Sequence, residues 1–295
     1  MRLLSVARKG LRDQRWQVVG FGLTFTLMAA SIVFLWPSYR TTVASIQLPQ
    51  AVQALLGSDL AYSTAPGFVS AEYFSWIPIL LIVYVVIQGT GAIAGEEGSG
   101  TIDLLMSQPI TRWGMVVQKT IGISVGAAII AGFGFLGFLL SVPFVDINLT
   151  LKGVALASAN MLPMALFYYA VSLWFGAVLP NRAYAAGGAT ALATLGYFFN
   201  TIAAAVHSLS GLKYASPFYY YGAGEPLVRG LNWGHIGLLL GVSALFVAAA
   251  IRAFAGRDIT IGGASNLRWS DVIGRVLGLQ RYESSAPSSG PASSS

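Results

Sequence analysis

The densest chemistry in this 295-residue chain lies between Gly95 and Lys119, where Glu96-Glu97, Asp103, Arg112 and Lys119 are interleaved with glycine and short apolar runs. Paired carboxylates here end an apolar helix, and Gly95, Gly98 and Gly100 permit a sharp turn. Thr101 suits the cap of a short new helix with Asp103 near its positive end, and Pro109 stops it. Ile102, Leu104, Leu105 and Met106 then need a partner or lipid to cover them. Other chemistries are poorly provided for. Cysteine is absent, His207 and His235 are the only imidazoles, and no G-x-x-x-x-G-K-[ST], H-E-x-x-H or G-x-S-x-G occurs. The chain therefore has no recognisable phosphate cradle of its own. Asn148-Leu149-Thr150 matches a glycosylation acceptor, a pattern short enough to arise by chance.

The elements that must position these residues follow from composition. Only 9% of residues are charged and 55% are hydrophobic, with a mean hydropathy of +0.68, where a soluble domain carries about 25% charge. The net charge of +6 does not point to nucleic acid, because the charges lie outside any folded basic face. Six runs of 22 or more residues contain no Asp, Glu, Lys or Arg: 16–39, 73–95, 120–145, 153–181, 183–212 and 230–251. A hydrocarbon core about 30 Å thick needs roughly 20 residues of helix. The expectation is an all-α membrane protein with six transmembrane helices, near 16–37, 75–95, 120–141, 154–179, 183–206 and 233–252, within a domain spanning 16–262.

Thirteen of the 17 cationic residues fall on the amino-terminal side of these spans and four (Arg40, Lys152, Lys213 and Arg229) on the other. Lysine and arginine are retained in the cytoplasm, so both termini are expected there. The first apolar run is too long for a signal peptide and is expected to be retained. Residues 1–15 place Leu3, Leu4, Ala7, Gly10 and Leu11 on one arc and the cations on the other, an interfacial amphipathic helix; an unstructured basic tail is the alternative. Residues 263–283 carry Leu267, Trp269, Val272, Ile273, Val276 and Leu277 at helical spacing, a second cytoplasmic amphipathic segment. Residues 284–295, SSAPSSGPASSS, have nothing to bury and are expected to be disordered.

Gln88, Asn160, Thr190, Thr194, Tyr197 and Asn200 are polar groups at membrane depth. They either line a substrate path or form interhelical hydrogen bonds, and packing is the preferred reading. Small residues four apart, Gly91 with Gly95 and Gly122 with Gly126, together with Gly132, Gly134, Gly137, Gly187 and Gly188, point to close helix contacts or a subunit interface. Ionisable side chains of the kind an ion-coupled carrier uses are missing from the six runs.

The run GEEGSGTIDLLMSQPITRWGMVVQK resembles the signature of ABC-2-type permeases, the membrane subunits of ATP-driven exporters. Gly95, Glu96, Glu97, Gly100, Thr101, Ile102, Leu105, Met106, Pro109, Ile110, Thr111, Arg112 and Lys119 fit it. Ser216-Pro217-Phe218 and Phe254-Ala255-Gly256-Arg257-Asp258-Ile259 are weaker likenesses, as is the segment from Leu48-Pro49 to Gly57.

The resemblance implies a six-helix permease with an N-terminal elbow helix and a cytoplasmic coupling helix between helices 2 and 3. Glu96, Glu97, Gly100, Thr101, Ile102, Asp103, Leu105, Met106, Pro109 and Arg112 would couple it to a separate ABC ATPase. Two ATPase copies would bind ATP and magnesium, leaving this chain without a cofactor and without enzymatic activity of its own. A second permease copy or a sibling permease would complete the exporter in the cell membrane, surrounded by lipid. Re-entrant outer helices are implied near Tyr214 to Trp233, where an aromatic belt is the alternative. Gln88, Asn160, Thr194, Tyr197 and Asn200 remain the candidate substrate path. A membrane scaffold that recruits cytoplasmic proteins without moving a solute is the competing function.

The charge asymmetry gives a direct expectation. Cysteines introduced at Ser38, Ser58 and Ser210 should label from outside intact cells with an impermeant maleimide, and one at Ser265 should not; external labelling at Ser265 would reverse the orientation.

Overall fold

A computed structural model of the chain describes residues 5–43, 64–98 and 111–256. Among these it is almost entirely helical, with no strand. The short helix α1 (Ser5–Asp13) runs almost without a break into α2 (Arg15–Val43), because Gln14 N–H bonds to Gly10 and Val18 N–H bonds to Gln14. The continuous segment α3 covers Ala65–Gly98, α4 Arg112–Ser141, α5 Leu151–Val178 and α6 Arg182–Ala205. A 3₁₀ stretch, His207–Ala215, leads to α7 (Pro217–Tyr221), a 3₁₀ turn at Glu225–Leu227 and finally α8 (Trp233–Ala255).

Among the described residues five helices are long and apolar enough to cross a membrane: α2, α3, α4, α5 and α8. The sixth expected span corresponds to α6, whose 24 residues reach about 36 Å at 1.5 Å per residue. Its length suffices, but alanine, glycine and threonine keep its hydropathy below that of the others. The second span also differs from expectation, starting at Ala65 rather than near residue 75. Thr64 caps it through Gly67 N–H, and the helix runs through Glu72, the charge that ended the uncharged run. Residues 1–4, most of the loop between α3 and α4, the second amphipathic segment and the serine-rich tail lie outside the described residues.

The helices run alternately up and down, and α5 is their centre, packing against α3, α4, α6 and α8. It is buried on nearly every side, as its continuous apolar sequence requires. Helix α2 packs along α4 through glycines. A Cβ on Gly137 would strike the Thr26 backbone and Ala29, and one on Gly22 would meet the Phe133 ring at 2.8 Å. The read-out of small residues as close contacts holds at Gly126, Gly134 and Gly137, while Gly132 and Gly187 have no neighbour within 4 Å.

Proline shapes α3 and ties it to the far end. Pro78 has no N–H to give to Phe74, four residues earlier, and the Phe74 carbonyl accepts the Tyr221 hydroxyl at 3.0 Å instead. Burial, with Tyr73 nearby, holds the Tyr221 phenol well above its ordinary range, so it remains a neutral donor. Ser216 caps α7, accepting from Phe218 N–H and donating to the Gly196 carbonyl at 2.6 Å. The short elements between α6 and α8 thus fold back onto the bundle. Asn160 Nδ2 donates to the Tyr221 carbonyl at 2.6 Å.

These contacts make a graded prediction. Gly137→Leu should cost about 1–3 kcal/mol through forced separation of α2 and α4, read as a lower melting temperature of the purified protein, whereas Gly132→Leu should melt as the parent does.

Candidate functional site at the amino-terminal end of the bundle

One end of the bundle gathers the start of α2, the end of α3 and the starts of α4 and α6, and it carries most of the described charge. Gln14, on the same helical arc as Ala7, Gly10 and Leu11, is buried. Its Nε2 donates to the Gly122 carbonyl at 3.2 Å and its Oε1 accepts from the Tyr84 hydroxyl at 2.9 Å. One side chain at the α1–α2 junction therefore joins α3 to α4. Gly126 keeps the channel for the Tyr84 hydroxyl open, since a Cβ there would collide with it.

Two cations enter from the neighbouring helices. Lys119 Nζ lies 2.8 Å from Glu96 Oε1 and donates to the Ala92 carbonyl, also at 2.8 Å. The contact falls where α3 widens into a π-helical turn over Gly91–Gly95, at whose end Glu96 N–H bonds to Ile93. Arg182, the first residue of α6, donates to the Ile87 carbonyl at 3.1 Å. Its guanidinium lies across Gly91 and Gly95, 3.4 Å and 3.9 Å from where Cβ atoms would stand. The glycine pair on α3 thus makes room for an arginine rather than for another helix backbone.

These groups surround a cavity of about 240 Å³. Asp13, Gln14 and Gln17 line it from the α1–α2 junction, Ile87, Gln88, Gly91, Ala92 and Glu96 from α3, Lys119 and Ile123 from α4, and Arg182 from α6. Gln88 Nε2 donates to Gln17 Oε1 across its wall. Beside it, Arg112 fixes the start of α4 to the end of α8, donating to the Phe254 carbonyl at 2.8 Å and the Ala255 carbonyl at 3.2 Å with its guanidinium over the Phe254 ring. Those carbonyls are the ones a helix C-terminus leaves without intrahelical partners, and they carry the negative end of its dipole. Thr111 caps α4 through Gly114 N–H.

Of the residues singled out for coupling, Glu96 and Arg112 sit at the two ends of the loop and Glu97 is buried. Gly100, Thr101, Ile102, Asp103, Leu105, Met106 and Pro109 lie outside the described residues. The candidate path residues are dispersed. Gln88 lines the cavity, and Thr194 is exposed on α6. Tyr197 packs against Trp76 and Phe218, Asn200 is half-buried, and Asn160 is occupied at the opposite end by Tyr221. Asp13, Gln14, Gln17 and Arg182 were not singled out as site residues. Gln14 is the one that periodicity reveals, being a polar side chain on an apolar arc.

The family described as ABC-2 family transporter protein matches residues 4–259. The chain belongs to that family. The match spans the cavity, the loop between α3 and α4 and all described helices. The chain is accordingly a multi-pass membrane component of a transporter, and the resemblance carried by Gly95 to Lys119 is confirmed. No curated protein matches the sequence.

The Lys119–Glu96 pair is only slightly exposed, so removing one partner leaves the other poorly solvated. Lys119→Met and Glu96→Lys should each lower the yield of folded protein, a loss of about 3 kcal/mol for a partly buried pair. The exchange Lys119→Glu with Glu96→Lys should recover part of it, measured by size-exclusion yield and melting temperature. Equal damage in the single and double variants would remove the pair as a structural constraint.

Proposed function

We propose that this chain is the permease subunit of an ATP-driven exporter, with α6 as the sixth span and both termini in the cytoplasm of a cell-membrane complex. The loop from Glu96 to Arg112 is its contact with a separate ABC ATPase, which binds ATP and magnesium. The observation that supports this reading most is the anchoring at the loop's two ends. Glu96 is tied to Lys119 on α4, and Arg112 is tied to the last carbonyls of α8. A push on such a loop passes to three helices instead of being absorbed by slack at its ends. Apolar Ile102, Leu105 and Met106 supply the surface for the ATPase, with Gly100, Thr101, Asp103 and Pro109 setting the shape.

Two permeases and two ATPases form the working unit. The exposed stripe Gly187, Thr190, Ala191 and Thr194 on α6 is small enough for a second permease to approach and polar enough to border a central path. Gln88 lies at the inner end of that path, with Thr194 and Tyr197 further along it. Closure of the ATPase pair would tilt the helices and alternate access to the two sides.

The test separates coupling from folding. Leu105→Asp should leave membrane abundance and melting temperature unchanged, because the anchors at Glu96 and Arg112 are untouched, while recovery of a copurifying phosphate-loop ATPase falls by about tenfold or more. Undiminished ATPase recovery would exclude the loop from the contact, and the absence of any ATPase from the parental complex would favour a scaffold.

A further inference from the structure

We propose that the cavity beneath Arg182 binds the zwitterionic headgroup of a phospholipid, an ammonium and a phosphate together, with the acyl chain lying along α3. The proposal rests on the membrane placement and path just described and deepens them by naming the class of molecule admitted at the inner end. Charge supplies the first part of the argument. Lys119 and Arg182 line the cavity with Asp13 and Glu96, two cations and two carboxylates. A headgroup carrying only negative charge would meet the carboxylates unpaired, and a purely cationic one would meet the lysine and arginine. One carrying both signs finds a partner for each.

The donors are arranged for this. Lys119 is held by Glu96 and the Ala92 carbonyl, but Arg182 gives one N–H to Ile87 and is otherwise exposed on the cavity rim, where a guanidinium can clasp a phosphate. Asp13 is exposed on the side formed by α1, where an ammonium can reach it. The volume of about 240 Å³ suits a headgroup rather than a whole lipid.

The place for the chain is on α3. Trp76, Val83 and Ile87 are exposed and Leu80 is half-buried. At spacings of four, three and four they form one apolar face that ends in the cavity at Ile87. From Trp76 to Ile87 the helix rises about 16 Å, close to half of the roughly 30 Å hydrocarbon thickness that one leaflet occupies. A polar cavity of balanced charge at the end of an apolar track one leaflet long is the shape of a single phospholipid.

The experiment uses the full-length chain purified in detergent and exchanged against phosphatidylethanolamine, phosphatidylglycerol or soluble glycerophosphoethanolamine, with bound lipid read by native mass spectrometry. Phosphatidylethanolamine should be retained about tenfold over phosphatidylglycerol, Arg182→Gln should lower that retention about tenfold, and Arg182→Lys should restore most of it. Asp13→Asn, an exposed substitution that spares folding, should shift the preference toward phosphatidylglycerol. Equal retention of the two lipids, or no effect of Asp13→Asn, would overturn the proposal. Competition by glycerophosphoethanolamine as strong as by the lipid would overturn the assignment to a membrane lipid. Because retention needs no ATPase, failure of coupling leaves it intact, and loss of lipid selectivity leaves ATPase recovery intact.

Discussion

An ammonium group removed from water must be met by oxygen, and the amino-terminal end of this bundle is organised around that demand at Lys119. Burying the charge alone would cost several kcal/mol, so a carboxylate and a main-chain carbonyl converge on it. Lys119 reaches this carbonyl within the π-helical turn of α3 at Gly91–Gly95. The same widened turn, lined by glycine, leaves room for Arg182 to lie flat across α3. One backbone irregularity therefore accommodates both cations, and through them fixes α4 and α6 to α3.

The far end solves the complementary problem of carbonyls that lack donors. Pro78 deprives Phe74 of its usual partner, and Tyr221 supplies one from the segment folded back between α6 and α8. Asn160 and Ser216 bond to main-chain carbonyls there as well. In both places a departure from α-helical regularity is what joins helices distant in sequence. The exposed ion pair Arg40–Asp146 at 3.4 Å, by contrast, lies on the surface and contributes little.

This division explains what the sequence made legible. Lengths and composition sufficed for an all-helical membrane chain, because hydropathy is a property of each segment by itself. The specific run from Gly95 to Lys119 carried the family. Charge-free runs could not show that the helix holding the second expected span begins at Ala65, since Glu72 is accommodated within it. They also made α6 equal to the others, although its alanines and threonines set it apart. The role of Arg182 was illegible because an arginine at the head of an uncharged run looks like a topological marker. Only the meeting of α6 with Gly91 and Gly95 shows that it packs across α3. Asn160 illustrates the converse, since only the fold shows that its amide meets the Tyr221 carbonyl.

The geometry also constrains how the proposed coupling and the cavity are related. Glu96 lines the cavity and is the first anchor of the loop, and its partner Lys119 lines the cavity too. A displacement of the loop that lengthens the Glu96–Lys119 contact would uncover an ammonium and a carboxylate toward the cavity at the same moment. The partners of the proposed headgroup would then change with the position of the loop, without any rearrangement of the far end, which is held by Tyr221 and Ser216. Arg112 ties the start of α4 to the end of α8 through two helix-terminal carbonyls. A force on the loop thus reaches α3 and α4 through the Lys119–Glu96 pair, at the mouth of the cavity itself, and reaches α8 through Arg112.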